Sequence, residues 1–387
     1  MTDEPENRDE QEDTIPGEVI QFHIVLFECA MNVFRALLKE VGAIRSLEAI
    51  RPLNKYAGGI LASQAKGRFD LKRIDAEAVA MPYYWCHTGT SGGYIKPMEI
   101  RDGKAIVELN FCPTPAINAP PEACIAISHY AAEGICEAVN PDYEYIFTHH
   151  LSKGDDCCRY VVKKKSDKFS LDNPGRLERT VPVPRLSLEE QYLISTLVCF
   201  GQLGIMTSAS VGLIGSERTM EVGAPLARET GLRIGNELKG SESEKSGLST
   251  VRDKLDFICS ALGQNGTPAT ITDSSIEKEI TDCPLQEYYT QFPFWPQGIP
   301  EVCKHLEGVL NGVCEAINPD YEFAYDRMIS NGDKTCHWVV RKKGKLAKEK
   351  PKEETPSDDP MKILKMRFAK GEISEEEYRR QKVVLSE

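Results

Sequence analysis

The twelve residues "GICEAVNPDYEY" (Gly134–Tyr145) return as "GVCEAINPDYEF" (Gly312–Phe323), identical at nine positions and displaced by 178. At the same offset "GDDCCRYVVKKK" (Gly154–Lys165) matches "GDKTCHWVVRKK" (Gly332–Lys343). Upstream the match continues at shorter offsets. "RPLNKYAGGILASQAKG" (Arg51–Gly67) aligns with "APLARETGLRIGNELKG" (Ala224–Gly240) at 173, "FCP" (Phe111–Pro113) with "DCP" (Asp282–Pro284) at 171, and "VGAIRS" (Val41–Ser46) with "VGLIGS" (Val211–Ser216) at 170. A chain built this way must fold the same unit twice, and 387 residues suit two such domains with tails.

Each copy reads as helices first and strands later. Val25, Phe27, Met31, Phe34, Leu37 and Leu38 recur at helical spacing and mark an amphipathic helix. "YIKPMEIRDGKAIVELNFC" carries two β-rich runs around Arg101-Asp102-Gly103, a hairpin signal. A helix with Pro at its start and Asn-Pro at its end follows, then two strands around Lys153-Gly154-Asp155. Gly154-Asp155 and Gly332-Asp333 read as turn residues, Gly supplying positive φ and Asp a local cap. The expected fold class is α+β: two duplicated domains, each with helices packed on an antiparallel sheet, plus a C-terminal helical hairpin. The expected divisions are an acidic disordered tail (1–16), a first repeat (17–165), a linker (166–186), a second repeat (187–343), a second linker (344–358) and the hairpin (359–386).

The formal charge of −12 argues against nucleic acid or anionic lipid as a partner. "MTDEPENRDEQED" lacks an apolar stretch of the signal-peptide kind, so a cytoplasmic location is expected. "QYLISTLVCFGQLGIMTSASVGLIGS" (Gln191–Ser216) is long and uncharged enough to span a bilayer. Its counterpart in the first copy contains Glu28, Arg35, Lys39 and Glu40, so the reading is a buried core helix and no membrane partner.

In a reducing compartment the thirteen cysteines are expected as thiols, metal ligands or catalytic groups. Alignment of the copies pairs Cys29 with Cys199, Cys86 with Cys259, Cys112 with Cys283, Cys136 with Cys314 and Cys158 with Cys336. The first two pairs read as core packing. The others sit after a strand, on a helix and on the last hairpin, elements that an α+β unit brings together. Cys112, Cys136, His150 and Cys158 are therefore a candidate zinc or iron site in the first copy, with His129 and His149 nearby in sequence. In the second copy Met328 stands at the position of His150, and Cys283, Cys314, Cys336 and Trp295 are candidate ligand-binding residues. Trp295 belongs to an aromatic cluster with Tyr288, Tyr289, Phe292 and Phe294. Candidate catalytic residues are Cys136, Cys158 and Glu144, for thiolate attack and proton transfer. No Ser-His-Asp order, Walker loop or dinucleotide fingerprint is present.

"CP", then "ICEAVNPDYEY", then "HLSKGDDCCRYVV" resembles the family of L-2-amino-thiazoline-4-carboxylic acid hydrolases and the related vinyl-reductase-type ligand-binding domain. That resemblance implies an α+β fold with a small-molecule pocket between helices and sheet. "LKMRFAKGEISEEEYRRQKVVL" resembles the short C-terminal domain appended to many prokaryotic proteins, which implies oligomerisation or docking to a protein partner and a prokaryotic source. The expected function is a cytoplasmic small-molecule binding or sensing protein. The alternative is a hydrolase that opens a cyclic amidine by a Cys thiolate or a metal-bound water.

Overall fold

The computed structural model describes residues 17–71, 74–90, 94–239, 247–262, 264–272, 274–283 and 299–343. Residues 1–340 form one compact unit that contains both repeats, and residues 341–387 form a second unit. The fold is α+β with two antiparallel sheets, as the order of helical and alternating patterns requires.

The first repeat opens with α1 (Gly17–Val41) and α2 (Ala43–Phe69). Leu26, Met31, Phe34 and Leu37 of α1 are fully buried, which satisfies the apolar stripe read from the sequence. The two helices break at Gly42, whose φ of 82° and ψ of 166° lie in a region open essentially to glycine alone. Next come α3 (Ala76–Thr90) and the hairpin of β1 (Met98–Arg101) and β2 (Lys104–Leu109). Its turn residues Asp102 and Gly103 both take positive φ, which matches the twist of the paired strands. A short helix α4 (Pro113–Ala116) and a π-helical turn (Ile125–His129) lead into α5 (Tyr130–Val139). Strands β3 (Tyr143–His149) and β4 (Cys158–Lys164) follow. The expected linker carries a strand of its own, β5 (Leu177–Val181), which extends the sheet to the order β3-β4-β2-β1-β5.

The second repeat replays this plan. Its first two helices run together as α6 (Leu188–Lys239), interrupted at Gly215 with φ 79° and ψ 162°. That backbone is nearly the conformation of Gly42, so the structural counterpart of Gly42 is Gly215, at an offset of 173. The "VGAIRS"/"VGLIGS" alignment at 170 pairs it instead with Gly212; the conformation, which only glycine adopts comfortably, identifies the true partner. Then come α7 (Leu248–Ala261), β6 (Asn265–Gly266), β7 (Thr270–Ile271), β8 (Ser275–Asp282), α8 (Ile299–Ile317), β9 (Tyr321–Arg327) and β10 (Cys336–Lys342). The strand order is β6-β8-β10-β9, with β7 on β8. Register is preserved: Ile100 opposes Ala105 in the first sheet, and Ile271 opposes Ile276 in the second.

Helix packing is duplicated as well. A Cβ built on Gly58 would stand 2.0 Å from the Ala131 carbonyl oxygen, and one on Gly134 would stand 1.8 Å from that of Lys55. In the second repeat Gly231 approaches Val309 at 2.0 Å and Gly312 approaches Arg228 at 2.3 Å in the same sense. Glycine at these positions lets α2 cross α5, and α6 cross α8, backbone to backbone. The ion pairs Lys55–Glu137 (2.5 Å) and Arg228–Glu315 (2.6 Å) flank the two crossings.

The repeats share a core between α1 and α6, where Leu26 and Phe34 join Phe200, Leu203 and Met206. Buried amides fix the register of this seam. Gln202 Nε2 donates to Asn54 Oδ1 at 2.9 Å, and Asn32 Nδ2 donates to Thr230 Oγ1 at 3.2 Å. Among the described residues α6 is the one helix long and apolar enough to cross a membrane, and 67% of its apolar window is buried inside the protein. The same property marks a core helix.

The repeated turns have local explanations. Asn140 Oδ1 accepts from the Asp142 amide at 3.0 Å, and Asn318 Oδ1 from that of Asp320 at 3.0 Å, so "NPDYE" is an Asx turn into a strand. Gly154 and Gly332 take φ of 92° and 95°. Asp155 Oδ2 accepts from the His150 amide at 2.7 Å, as Asp333 Oδ2 does from Met328 at 2.8 Å. Cys158 and Cys336 complete the same loops by accepting the Leu151 and Ile329 amides at 3.3 and 3.2 Å.

Candidate functional site

A cavity of about 670 Å³ lies in the first repeat, among α2, α3, the sheet and the start of α6 from the second repeat. Its volume falls in the range of small-molecule sites. Ile24, Phe27, Leu61, Ile194, Val198 and Ile205 supply much of its apolar wall. Among the described residues, three buried polar atoms on the cavity lining have no hydrogen-bond partner: Trp85 Nε1, His87 Nε2 and the Tyr160 hydroxyl. These three are the cavity-lining groups with hydrogen-bonding capacity left over for a ligand or water.

Sulfur gathers at the sheet side. Cys112, Cys124 and Cys158 all line the cavity and are half-buried. Opposed strands bring Cys158 beside Leu109, and the three residues beyond β2 return Cys112 to hydrogen-bonding contact with Cys158. The hydrogen bond from Cys158 is the largest influence on the Cys112 thiol and draws its pKa down to about 6. Burial opposes this, and Thr114, whose Oγ1 lies 3.1 Å from Cys112 Sγ, supports it. Cys158, as the donor, is pushed up. The two thiols titrate as a coupled pair, with the Cys112 thiol drawn down and the Cys158 thiol pushed up. Cys124 Sγ lies 3.1 Å from Ser152 Oγ, and burial raises its pKa.

The histidines around the cavity stay neutral. Burial lowers His87 to about 4, and burial with the neighbouring His150 lowers His129 to about 4; burial also lowers His150. His129 stacks on Phe147 with ring centres 4.3 Å apart and lies parallel to His150 at 6.0 Å. The π-helical turn sets His129 and places Ser128 against the Tyr83 hydroxyl, a common use of this irregular helix at functional sites. Held neutral, His87 and His150 face the cavity as hydrogen-bonding groups rather than as charges.

The structure unites some of the sequence-selected residues and separates others. Cys112, His150 and Cys158 share the cavity. Cys136 lies on α5 in the packed cluster with Tyr143 and Tyr145, and burial pushes its thiol up to about 12. Glu144 lies on β3 in an ion pair with Lys163 at 2.6 Å and does not line the cavity. Among the described residues no three His, Cys, Asp or Glu side chains converge as a metal-binding set, so Cys112, Cys136, His150 and Cys158 do not form one here. In the second repeat Cys283, Cys314 and Cys336 are buried in the main apolar core with Met328, Phe323 and Trp338. Trp295 and the aromatic cluster around it lie outside the described residues, as does the C-terminal hairpin.

Sequence reasoning missed His87, Tyr83 and Tyr160 as cavity residues and did not separate Cys112 from the other cysteines as the thiol with the lowered pKa. A signal existed in the comparison of the copies. Tyr83, His87, His150 and Tyr160 align with Asp256, Ser260, Met328 and Trp338, so the polar set belongs to one copy.

No curated protein and no solved structure matches the chain. The resemblance of the two repeats to the thiazoline hydrolase and vinyl-reductase families is supported by no family model or relative. The family model of the short C-terminal domain matches residues 359–382, and the tail of this chain carries that domain.

Proposed function

We propose that the first repeat is a small-molecule binding module with a reactive thiol in its cavity, and that the second repeat is a structural copy that closes it. The cavity with three orphaned polar atoms carries this reading. Its apolar wall calls for a largely apolar ligand, and Trp85, His87 and Tyr160 call for a few polar atoms on it. The module is read as a cytoplasmic binding or sensing protein. The short C-terminal domain, too small to bury a core alone, is read as its element for assembly or docking.

A titration with 1-anilinonaphthalene-8-sulfonate tests the binding. One saturable site is expected in the full chain, with affinity reduced at least about tenfold in Ala57→Trp, which fills the cavity from α2. Equal binding by a normally folded Ala57→Trp would overturn the assignment.

The low pKa of Cys112 favours a second reading, in which its thiolate attacks an electrophilic carbon such as that of a cyclic amidine. Turnover of 2-aminothiazoline-4-carboxylate that is lost in Cys112→Ser would select this reading over binding alone.

A further inference from the structure

We propose that Cys112 and Cys158 are a peroxide-sensitive pair that closes into a reversible disulfide inside the cavity. The assignment stands whether or not the cavity takes an apolar ligand. It rests first on placement. Leu109 opposes Cys158 across β2 and β4, Cys112 follows three residues beyond Leu109, and both cysteines line the same cavity. Both residues are half-buried and line a cavity large enough for a hydroperoxide, so the sulfurs are reachable. The partners of each sulfur are compatible with reaction. Cys112 faces Thr114 Oγ1 at 3.1 Å, and Cys158 accepts the Leu151 amide at 3.3 Å. The aligned Cys283 and Cys336 are 9% and 8% exposed and belong to the apolar core, which shields them from a polar oxidant.

The chemistry is that of a thiolate with a resolving thiol beside it. Cys112 sulfur attacks one oxygen of hydrogen peroxide or an organic hydroperoxide. An S–O bond forms, the O–O bond breaks, and the departing oxygen takes a proton from solvent to leave as water or alcohol. Cys158 sulfur then attacks the sulfenic sulfur. The S–S bond forms, the S–O bond breaks, and the hydroxide leaves as water with the proton of Cys158. Two thiols lose two electrons and the peroxide gains them. The closed pair removes the thiolate from the cavity and ties the start of α4 to the start of β4, so oxidation alters the site directly. Cys124, bonded to Ser152, also lines the cavity and is the competing resolver.

The test uses the reduced full chain exposed to hydrogen peroxide, quenched with iodoacetamide and mapped by peptide mass spectrometry. A dithiothreitol-reversible link between the peptides of Cys112 and Cys158 is expected. In Cys158→Ser the Cys112 sulfenic acid trapped by dimedone should rise at least about tenfold over wild type. Both cysteines recovered alkylated after peroxide, or a link from Cys112 to Cys124 instead, would overturn the proposal. The wild-type map decides the matter even if the variant folds poorly, and a negative result leaves the binding reading of the cavity standing.

Discussion

Between pH 6 and pH 8 the alkylation of Cys112 by iodoacetamide should change only about twofold, while an ordinary exposed thiol speeds up roughly a hundredfold. The sign follows from the direction of the shift. Its pKa of about 6 makes Cys112 already half thiolate at pH 6 and nearly all thiolate at pH 8, so its rate rises through pH 6 and then levels. Cys29, Cys86, Cys136, Cys199 and Cys259, which burial pushes up to about 12, hold almost no thiolate in that window. A lower pKa also weakens intrinsic nucleophilicity, so the advantage over an ordinary thiol is only a few-fold at pH 7. Over the buried thiols it is still on the order of a hundredfold. Removing the donor should show its part. In Cys158→Ala the midpoint of the Cys112 profile should move up by at least about one unit, because the hydrogen bond that favours the anion is gone. A Cys112 profile that rises steadily to pH 9 in wild type would contradict the site as described.

Gly134→Leu should be the most damaging single substitution in the first repeat. Its Cβ would sit 1.8 Å from the carbonyl oxygen of Lys55, a backbone atom that no rotamer change can move aside. The crossing of α2 and α5 would have to open, at a loss of about 3 kcal/mol or more and roughly 5–10 °C in Tm. Gly59→Ala, one residue from the crossing glycine Gly58 on the same helix, is the control. Nothing lies within 4 Å of the position its added methyl would take, so the better helix former should be neutral or stabilise by about 0.5–1 kcal/mol. Thermal unfolding followed by circular dichroism reads both. A Gly134→Leu protein as stable as wild type would mean that the helices do not cross as closely as described.

The duplication is legible because its most repeated segments are the ones with the least freedom. Asn140 and Asn318 cap the same Asx turn, and Asp155 and Asp333 cap the same loop, so few residues serve there. Sequence alignment misplaces the helix break at Gly215 by three residues because a second glycine, Gly212, lies close by and only backbone conformation tells them apart. Strand β5 is hidden in "RLERTVPVPR", where charge and proline look like a linker, since an edge strand needs no apolar face of its own. The site is legible in its ingredients and not in its assembly. Cys112 and Cys158 meet through the register of β2 and β4, and register between strands distant in sequence is not written in spacing. Cys136 stands out by its repeated motif, yet the side of α5 it occupies packs against Tyr143 and Tyr145. His87 lies in a helix that is buried nearly all round, where periodicity has no polar face to reveal.

The most direct measurement asks whether the cavity and the reactive thiol are one site. The full chain is labelled with iodoacetamide at pH 6.5 with and without saturating 1-anilinonaphthalene-8-sulfonate, and modification of each cysteine is followed by mass spectrometry. The bound probe should slow labelling of Cys112 at least about tenfold while leaving Cys157, outside the cavity, unchanged. Equal labelling of Cys112 with and without bound probe would separate the thiol from the binding site and refute a binding cavity that holds its own reactive thiol.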